Sequence, residues 1–268
     1  MKARIKFSKT GSMRFIGHLD VMRYFQKAMR RAGVKASYSQ GFSPHQLMSF
    51  TSPLGIGLSS DAEYLDITLE EGDAPQAMAD RINAVLNDEI RVKGFTYIKD
   101  NAKPSMAALA ACDYLIALKP GKNNKFADKE FTRKQIAGFL LQDKIEVLKK
   151  TKKSEKLIDI RPNIYYMADS LNDYRKCISK ELAEDESFCI DKECTGILYC
   201  GLAAGSVLNI KPGLVMEELC KYSGIEYNEF DYQMHRLEMY AEADEKLIPM
   251  SLYDAIQVSN YTPAYSLL

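Results

Sequence analysis

Two histidine-bearing stretches and a crowd of cations near the amino terminus are the residues best suited to chemistry in this 268-residue chain. His18 and Asp20 stand in Phe15-Ile16-Gly17-His18-Leu19-Asp20, at the start of a strongly amphipathic segment. An imidazole there, among the free N–H groups of a helix N-terminus, could contact a phosphate or serve as general acid or base. The same position also suits a structural role. At 100° per residue His18 shares a face with Met22, Phe25 and Met29, which would lock the helix onto a sheet, with Asp20 as a first-turn acid. His45 ends Tyr38-Ser39-Gln40-Gly41-Phe42-Ser43-Pro44-His45, where Gly41 and Pro44 fix an irregular turn that presents Tyr38 and Phe42 or simply reverses the chain. Gly55 and Gly57, in Ser52 to Ser60, permit close backbone approach to a ligand. That stretch is neither GxGxxG nor a Walker loop, and a β-turn accounts for it. Glu63 and Asp66, three apart on a strand, face opposite sides and make no paired-carboxylate site.

The widest candidate site is collective. Net charge is zero, with 36 Lys+Arg against 36 Asp+Glu, a balance that ordinarily argues against nucleic acid. The balance hides an asymmetry: residues 1–50 carry ten Lys/Arg and the single acid Asp20, so this segment holds +9 and the remainder −9. Lys2, Arg4 and Lys6, then Arg14, then Arg23, Lys27, Arg30 and Arg31 are the candidate phosphate contacts, since ordinary solvated faces mix signs. Cys189, Cys194 and Cys200 match neither paired CxxC zinc knuckles nor the CxxxCxxC loop of an iron–sulfur radical enzyme. Neither a metal nor another cofactor is expected. No apolar run reaches the roughly 18 residues a membrane span needs, and the six cysteines are too sparse for a secreted disulfide scaffold. A cytoplasmic protein with reduced thiols, away from the membrane, is therefore expected.

The elements that must position these residues follow from periodicity. Residues 1–8 read as a strand, with Ala3, Ile5 and Phe7 on one face and Lys2, Arg4 and Lys6 on the other. Residues 18–32 are the clearest helix, with Val21, Phe25, Ala28, Met29 and Ala32 inward and Gly33 as its stop. Strand 63–70, a helix opened by Pro75, and strand 90–98 follow a Gly/Pro-broken extended region. This order predicts a ferredoxin-like βαββαβ sandwich over 1–98. Residues 99–111 read as a linker. The pattern then restarts over 112–240, with strands near 114–118, 144–151, 197–210 and 235–240, extended chain over 157–167, and helices near 131–142 and 212–222. The prediction is thus an α+β chain of two tandem ferredoxin-like units with antiparallel sheets. An acidic surface insertion at 171–195 and a tail at 241–268, lying on the second unit, complete it.

Met13 to Asp20 with Arg30-Arg31-Ala32-Gly33, Tyr38 to His45, and Ser52 to Ser60 with Glu63-Tyr64-Leu65-Asp66-Ile67 together resemble the radical-SAM-linked protein family. This is a bacterial family of unknown function, similar to a domain found beside, or fused behind, a cobalamin-binding radical-SAM protein. The match is specific over residues 1–70 and weak beyond, where Asp159-Ile160-Arg161-Pro162 is its best piece. The resemblance implies a radical-SAM partner and carries over no catalytic residue. Three functions stay open on this reading. One is a non-catalytic module that engages RNA through the basic segment and works with that partner. Another is an enzyme of RNA cleavage or phosphate-ester chemistry using His18 and His45. The third is a protein-only scaffold.

Overall fold

The apolar and basic residues that alternate from Ala3 onward form β1 (Lys2–Lys9), which passes through a 3-10 turn (Gly11–Phe15) into α1 (His18–Arg31). β2 (Met48–Phe50), β3 (Ser59–Thr68), α2 (Pro75–Asn83) and β4 (Ile90–Ile98) complete the first half. The computed structural model describes residues 1–150, 155–178, 193–206, 208–256 and 265–266. Phe25, Ala28 and Met29 of α1 and Met78 and Ile82 of α2 bury against Ala3, Ile5, Phe7, Leu65 and Ile67, so both helices cover one face of the sheet. Burying each large apolar side chain there is worth roughly 1.5–3 kcal/mol.

The second half runs α3 (Ser105–Ala108), β5 (Leu109–Leu118), α4 (Lys129–Leu140), β6 (Glu146–Lys150), β7 (Glu155–Asp159), β8 (Ile164–Ala168) and α5 (Leu171–Cys177). β9 (Thr195–Ala203), α6 (Pro212–Tyr222), β10 (Tyr232–Ala243), β11 (Lys246–Pro249) and β12 (Tyr265–Ser266) follow. The fold is mixed α and β, with helices on a mostly antiparallel sheet. Its strands run β4-β1-β3-β10-β5-β9-β8, with β2 on β3, β11 on β10 and β12 on β11.

That order differs from two separate sandwiches. One sheet of ten strands passes through both halves, joined where His235 and Arg236 of β10 pair in parallel with Ser59 and Ser60 of β3. Of segment 144–151, expected in the second sheet, β6 instead pairs with β7 as a two-stranded sheet of its own, and residue 151 lies outside the described residues. Residues 99–111 are no free linker: α3 lies there, β5 begins at Leu109, and the Ser105 amide donates to Asp66 Oδ2 at 2.9 Å. Of the expected acidic insertion, 171–177 is α5, and Glu181, Glu184, Asp185, Glu186 and Cys189 fall outside the described residues. The carboxy-terminal segment returns to the first half. Ile256 N–H donates to Tyr97 O at 2.9 Å and Lys99 N–H to Asp254 O at 3.1 Å. The physical reason is that β11 turns the chain back across β10, toward the edge of β4, where Ala255 bridges Ile98, and the basic face of β1.

Candidate nucleic-acid interface

The basic alternation of β1 does not face solvent. Arg4 is wholly buried, its Nε and Nη2 donating to the two Asp66 carboxylate oxygens at 2.7 and 3.1 Å. Its Nη1 donates to the carbonyls of Met250 at 3.1 Å and Tyr253 at 2.9 Å. Lys6 Nζ pairs with Glu238 Oε2 at 2.8 Å, and that carboxylate also accepts from the Tyr64 hydroxyl at 2.6 Å. Lys9 is buried as well, donating to Ile16 O at 2.8 Å, and burial pulls its ammonium below the usual lysine range. Arg4 and Lys6 are therefore removed from the candidate phosphate contacts, because acids and carbonyls of distant segments consume their charge. Lys2 stays half-exposed at a cavity of about 280 Å³ with His45, Ser49, Asp66 and Thr68.

The cations of α1 behave differently. Val21, Phe25, Ala28 and Met29 face the core, so Arg23, Lys27, Arg30 and Arg31 project outward and are exposed. Arg31 donates to Val85 O at 2.9 Å, and Arg23 lies 3.5 Å from Asp20 in an exposed pair. Lys27 and Arg30 make no salt bridge to any described residue. Asp20 sits in the first turn without capping it, since Gly17 is the N-cap and no side chain bonds there. Arg14 is half-exposed with its guanidinium 4.8 Å above the Phe15 ring. Gly57 takes a left-handed φ of +90° that glycine tolerates, and its N–H donates to Arg14 O at 2.9 Å. The Gly55–Gly57 loop is thereby pinned beside the 3-10 turn.

The structure does not bring the two candidate histidines together. His18 is half-buried, edge-on to Phe50 at 5.3 Å, in a small cavity with Phe7, Val21, Leu54 and Glu63. His45 is exposed at the other cavity, its Nδ1 2.9 Å from Ser39 Oγ, which also accepts the His45 N–H at 3.1 Å. Phe7 and Lys2 mark these cavities as lying on opposite faces of the sheet, because adjacent side chains of a strand alternate. An acid–base pair built from His18 and His45 loses its geometric basis. Tyr38, Gly41, Phe42 and Pro44 form an exposed hairpin tip, closed by the Tyr38–Gln46 bridge and carrying Gly41 at φ +112°. Cys194 and Cys200 are both buried but belong to different apolar clusters, so they share no ligand face. Among the described residues no group of three or more His, Cys, Asp or Glu is placed to hold a metal. No described helix is long and apolar enough to cross a membrane.

Sequence reasoning missed a buried polar seam between the halves. His235, fully buried, meets Ser59 Oγ through Nδ1 and Asp61 Oδ2 through Nε2, both at 2.8 Å. Burial alone would push Asp61 up, but the His235 bond and the Lys93 ammonium at 3.2 Å hold it below the usual carboxylate range. Beside it, Arg236 donates to Glu63 Oε1 at 2.8 Å and to the Tyr114 hydroxyl at 3.3 Å. Burial would lower the guanidinium, but the Glu63 charge and the Tyr114 contact together hold it above the usual arginine range. Ser59 resembles a hydrolase nucleophile in its partners only. Its residue is 2% exposed, and none of the described cavities reaches it. The signal available was His235, Arg236 and Glu238 within four residues of one strand, with Asp61 and Glu63 meeting the first two and Lys6 and Tyr64 the third.

Comparison with known proteins gives a family and distant structural likenesses. No curated protein matches the chain. The crystal structure of a Cbf5-Nop10-Gar1 complex is 10% identical at a TM-score of 0.42, over 91% of this chain and 51% of that one. An archaeal box H/ACA sRNP Nop10-Cbf5 complex is 10% identical at 0.38, over 87% and 46%. An H/ACA RNP bound to a substrate RNA containing 2'-deoxyuridine gives 10% and 0.38, over 88% and 46%. The chain thus spans about half the length of the structures it resembles. Residues 2–195 match the family described as uncharacterized protein conserved in bacteria (DUF2344), and the chain belongs to that family.

Proposed function

We propose that this protein is an accessory RNA-binding module whose contact surface is the outer face of α1, and that it works with the radical-SAM protein implied by the sequence resemblance. Its two halves are read as ferredoxin-like units fused along one sheet, each with its strands in the order fourth, first, third, second: β4-β1-β3-β2 and β10-β5-β9-β8. The observation that carries the RNA reading is the exposure of Arg23, Lys27 and Arg30 on one stripe, where the Arg23–Asp20 pair is the only salt bridge they make among the described residues.

Salt dependence tests the proposal. Each phosphate neutralised on a single strand contributes a slope of about 0.7 in log affinity against log salt. Three stripe cations, or four with Arg14, give a loss of about 20- to 50-fold between 50 and 200 mM salt. Filter binding with the full chain should show this loss. Replacing Arg23, Lys27 and Arg30 together by Ala should flatten most of it, and a flat response in the unaltered protein would overturn the RNA reading.

A further inference from the structure

Four apolar or aromatic features of the first half remain unexplained by packing. Phe15 is 58% exposed, Leu19 60% and Ile56 68%, while Phe42 projects fully from the hairpin tip. The first three gather at one end of α1. Phe15 closes the 3-10 turn, Leu19 lies in the first helical turn, and the Gly57–Arg14 hydrogen bond holds Ile56 beside them. His18 and Leu54 line one small cavity, which places the 52–57 loop against that same turn. Leu19 also continues the cationic stripe. At 100° per residue it stands about 40° from Arg23, 80° from Lys27 and 20° from Arg30 on the helix surface. The patch is thus the head of a track about 16 Å long, at 1.5 Å per residue from Leu19 to Arg30.

We infer that Phe15 is a stacking platform for an unpaired base and that the ligand of this track is single-stranded RNA, not duplex; the inference rests on the RNA reading above. A duplex offers a protein surface its phosphates and sugars, and the deep, narrow major groove of A-form RNA hides its base edges. Such a ligand uses the cations and leaves the Phe15–Leu19–Ile56 patch in water. An unpaired strand uses both, because every base has a π-face and an adjacent backbone charge. The Arg14 guanidinium over one face of Phe15 adds a second planar group on which a base can stack. The length suits a short site of about four nucleotides or slightly more, at the lower end of single-strand grooves.

The test compares fluorescence anisotropy of a labelled 12-nucleotide oligouridine with that of the same strand annealed to oligoadenosine, using the full chain at 50 and 200 mM salt. Single-stranded RNA should bind more tightly. Phe15→Ala should weaken it about 5- to 140-fold, the range of one lost base stack, without changing its salt slope. Phe15→Tyr should restore binding, and duplex affinity should not respond to either change. The ring is exposed, so the fold is not at stake, and circular dichroism of each variant checks this. If neither RNA binds the unaltered chain, the RNA reading itself fails. If both forms bind equally and Phe15→Ala is silent, the platform alone is overturned, and the patch is left for a protein partner.

Discussion

Replacing Arg4 by Met separates a cation that builds the fold from one that serves a ligand. Methionine keeps the length and apolar bulk of the side chain and deletes every donor. Four hydrogen bonds go at once: two to Asp66 and one each to the carbonyls of Met250 and Tyr253. Breaking one side of a buried pair costs about 3–5 kcal/mol, against about 0–1 for a surface pair. Asp66 keeps the Ser105 amide and its carboxylate is 13% exposed, which places the expectation at the lower end, near 3 kcal/mol. For a chain of this size that corresponds to a fall in Tm of roughly 6–12 °C. Thermal unfolding followed by circular dichroism reads the shift. Amide exchange should locate it, with Lys99 and Ile256 N–H losing protection as the carboxy-terminal segment loosens. Adding Asp66→Asn to Arg4→Met should recover part of the loss, since the amide no longer needs a cation. The RNA salt slope should stay as it was. A Tm within about 2 °C of the unaltered protein, or a salt slope reduced by about 0.7, would refute the reasoning and return Arg4 to the ligand surface.

Two further perturbations probe the interior. Burial pushes Asp113 up to about 7, with the Tyr240 hydroxyl bond working the other way. The native state then holds a proton that the unfolded chain releases near pH 4, so this contribution to stability is complete below about 4 and disappears as pH rises through about 7. Tm measured from pH 5 to 9 should fall more steeply in the unaltered protein than in Asp113→Asn, and parallel curves would show that Asp113 titrates as in the unfolded chain. His235→Ala strands Ser59 and Asp61 across the junction of β3 and β10 and should cost about 3 kcal/mol in urea unfolding, whereas Ser59→Ala should cost about 1. Equal, small losses would mean that the seam does not fasten the halves.

Local pattern made part of the molecule readable. The stripe Val21, Phe25, Ala28 and Met29 identifies α1 and its buried face, and Pro75 marks the start of α2, because both signals lie within a few residues of each other. The alternation of β1 was equally legible, and it assigned the correct residues to the helix-covered face. What covers the other face was not legible. Lys6 meets Glu238 across 232 positions of sequence, and Arg4 meets Met250 and Tyr253 across 246 and 249. Periodicity reports that a face is polar; whether water or a distant acid satisfies it is decided by topology. The same limit hid His235, whose partners Ser59 and Asp61 lie on a strand 176 and 174 residues earlier. Phe15, Leu19 and Ile56 were not legible for the opposite reason: an apolar residue in a turn or loop is seen to be exposed only once the fold shows nothing packed over it.

The uneven charge of the chain takes on a double meaning from this. Nine net positive charges in the first 50 residues suggested one large phosphate surface balanced by an acidic remainder. In the fold a share of that imbalance is neutralised by acids outside the segment, Arg4 by Asp66 and Lys6 by Glu238, while Arg236 on Glu63 and Lys93 on Asp61 cross or border the β3–β10 junction. Opposite charges placed far apart in sequence favour the one register in which each buried ion finds its partner, since a slip of β10 by a single residue would leave several of them uncompensated. Among the cations left over, Arg23, Lys27 and Arg30 stand on the outer face of α1, away from the strands of the second half. A charge count therefore overstates the ligand surface, and the binding face is what remains after the fold has satisfied its own ions.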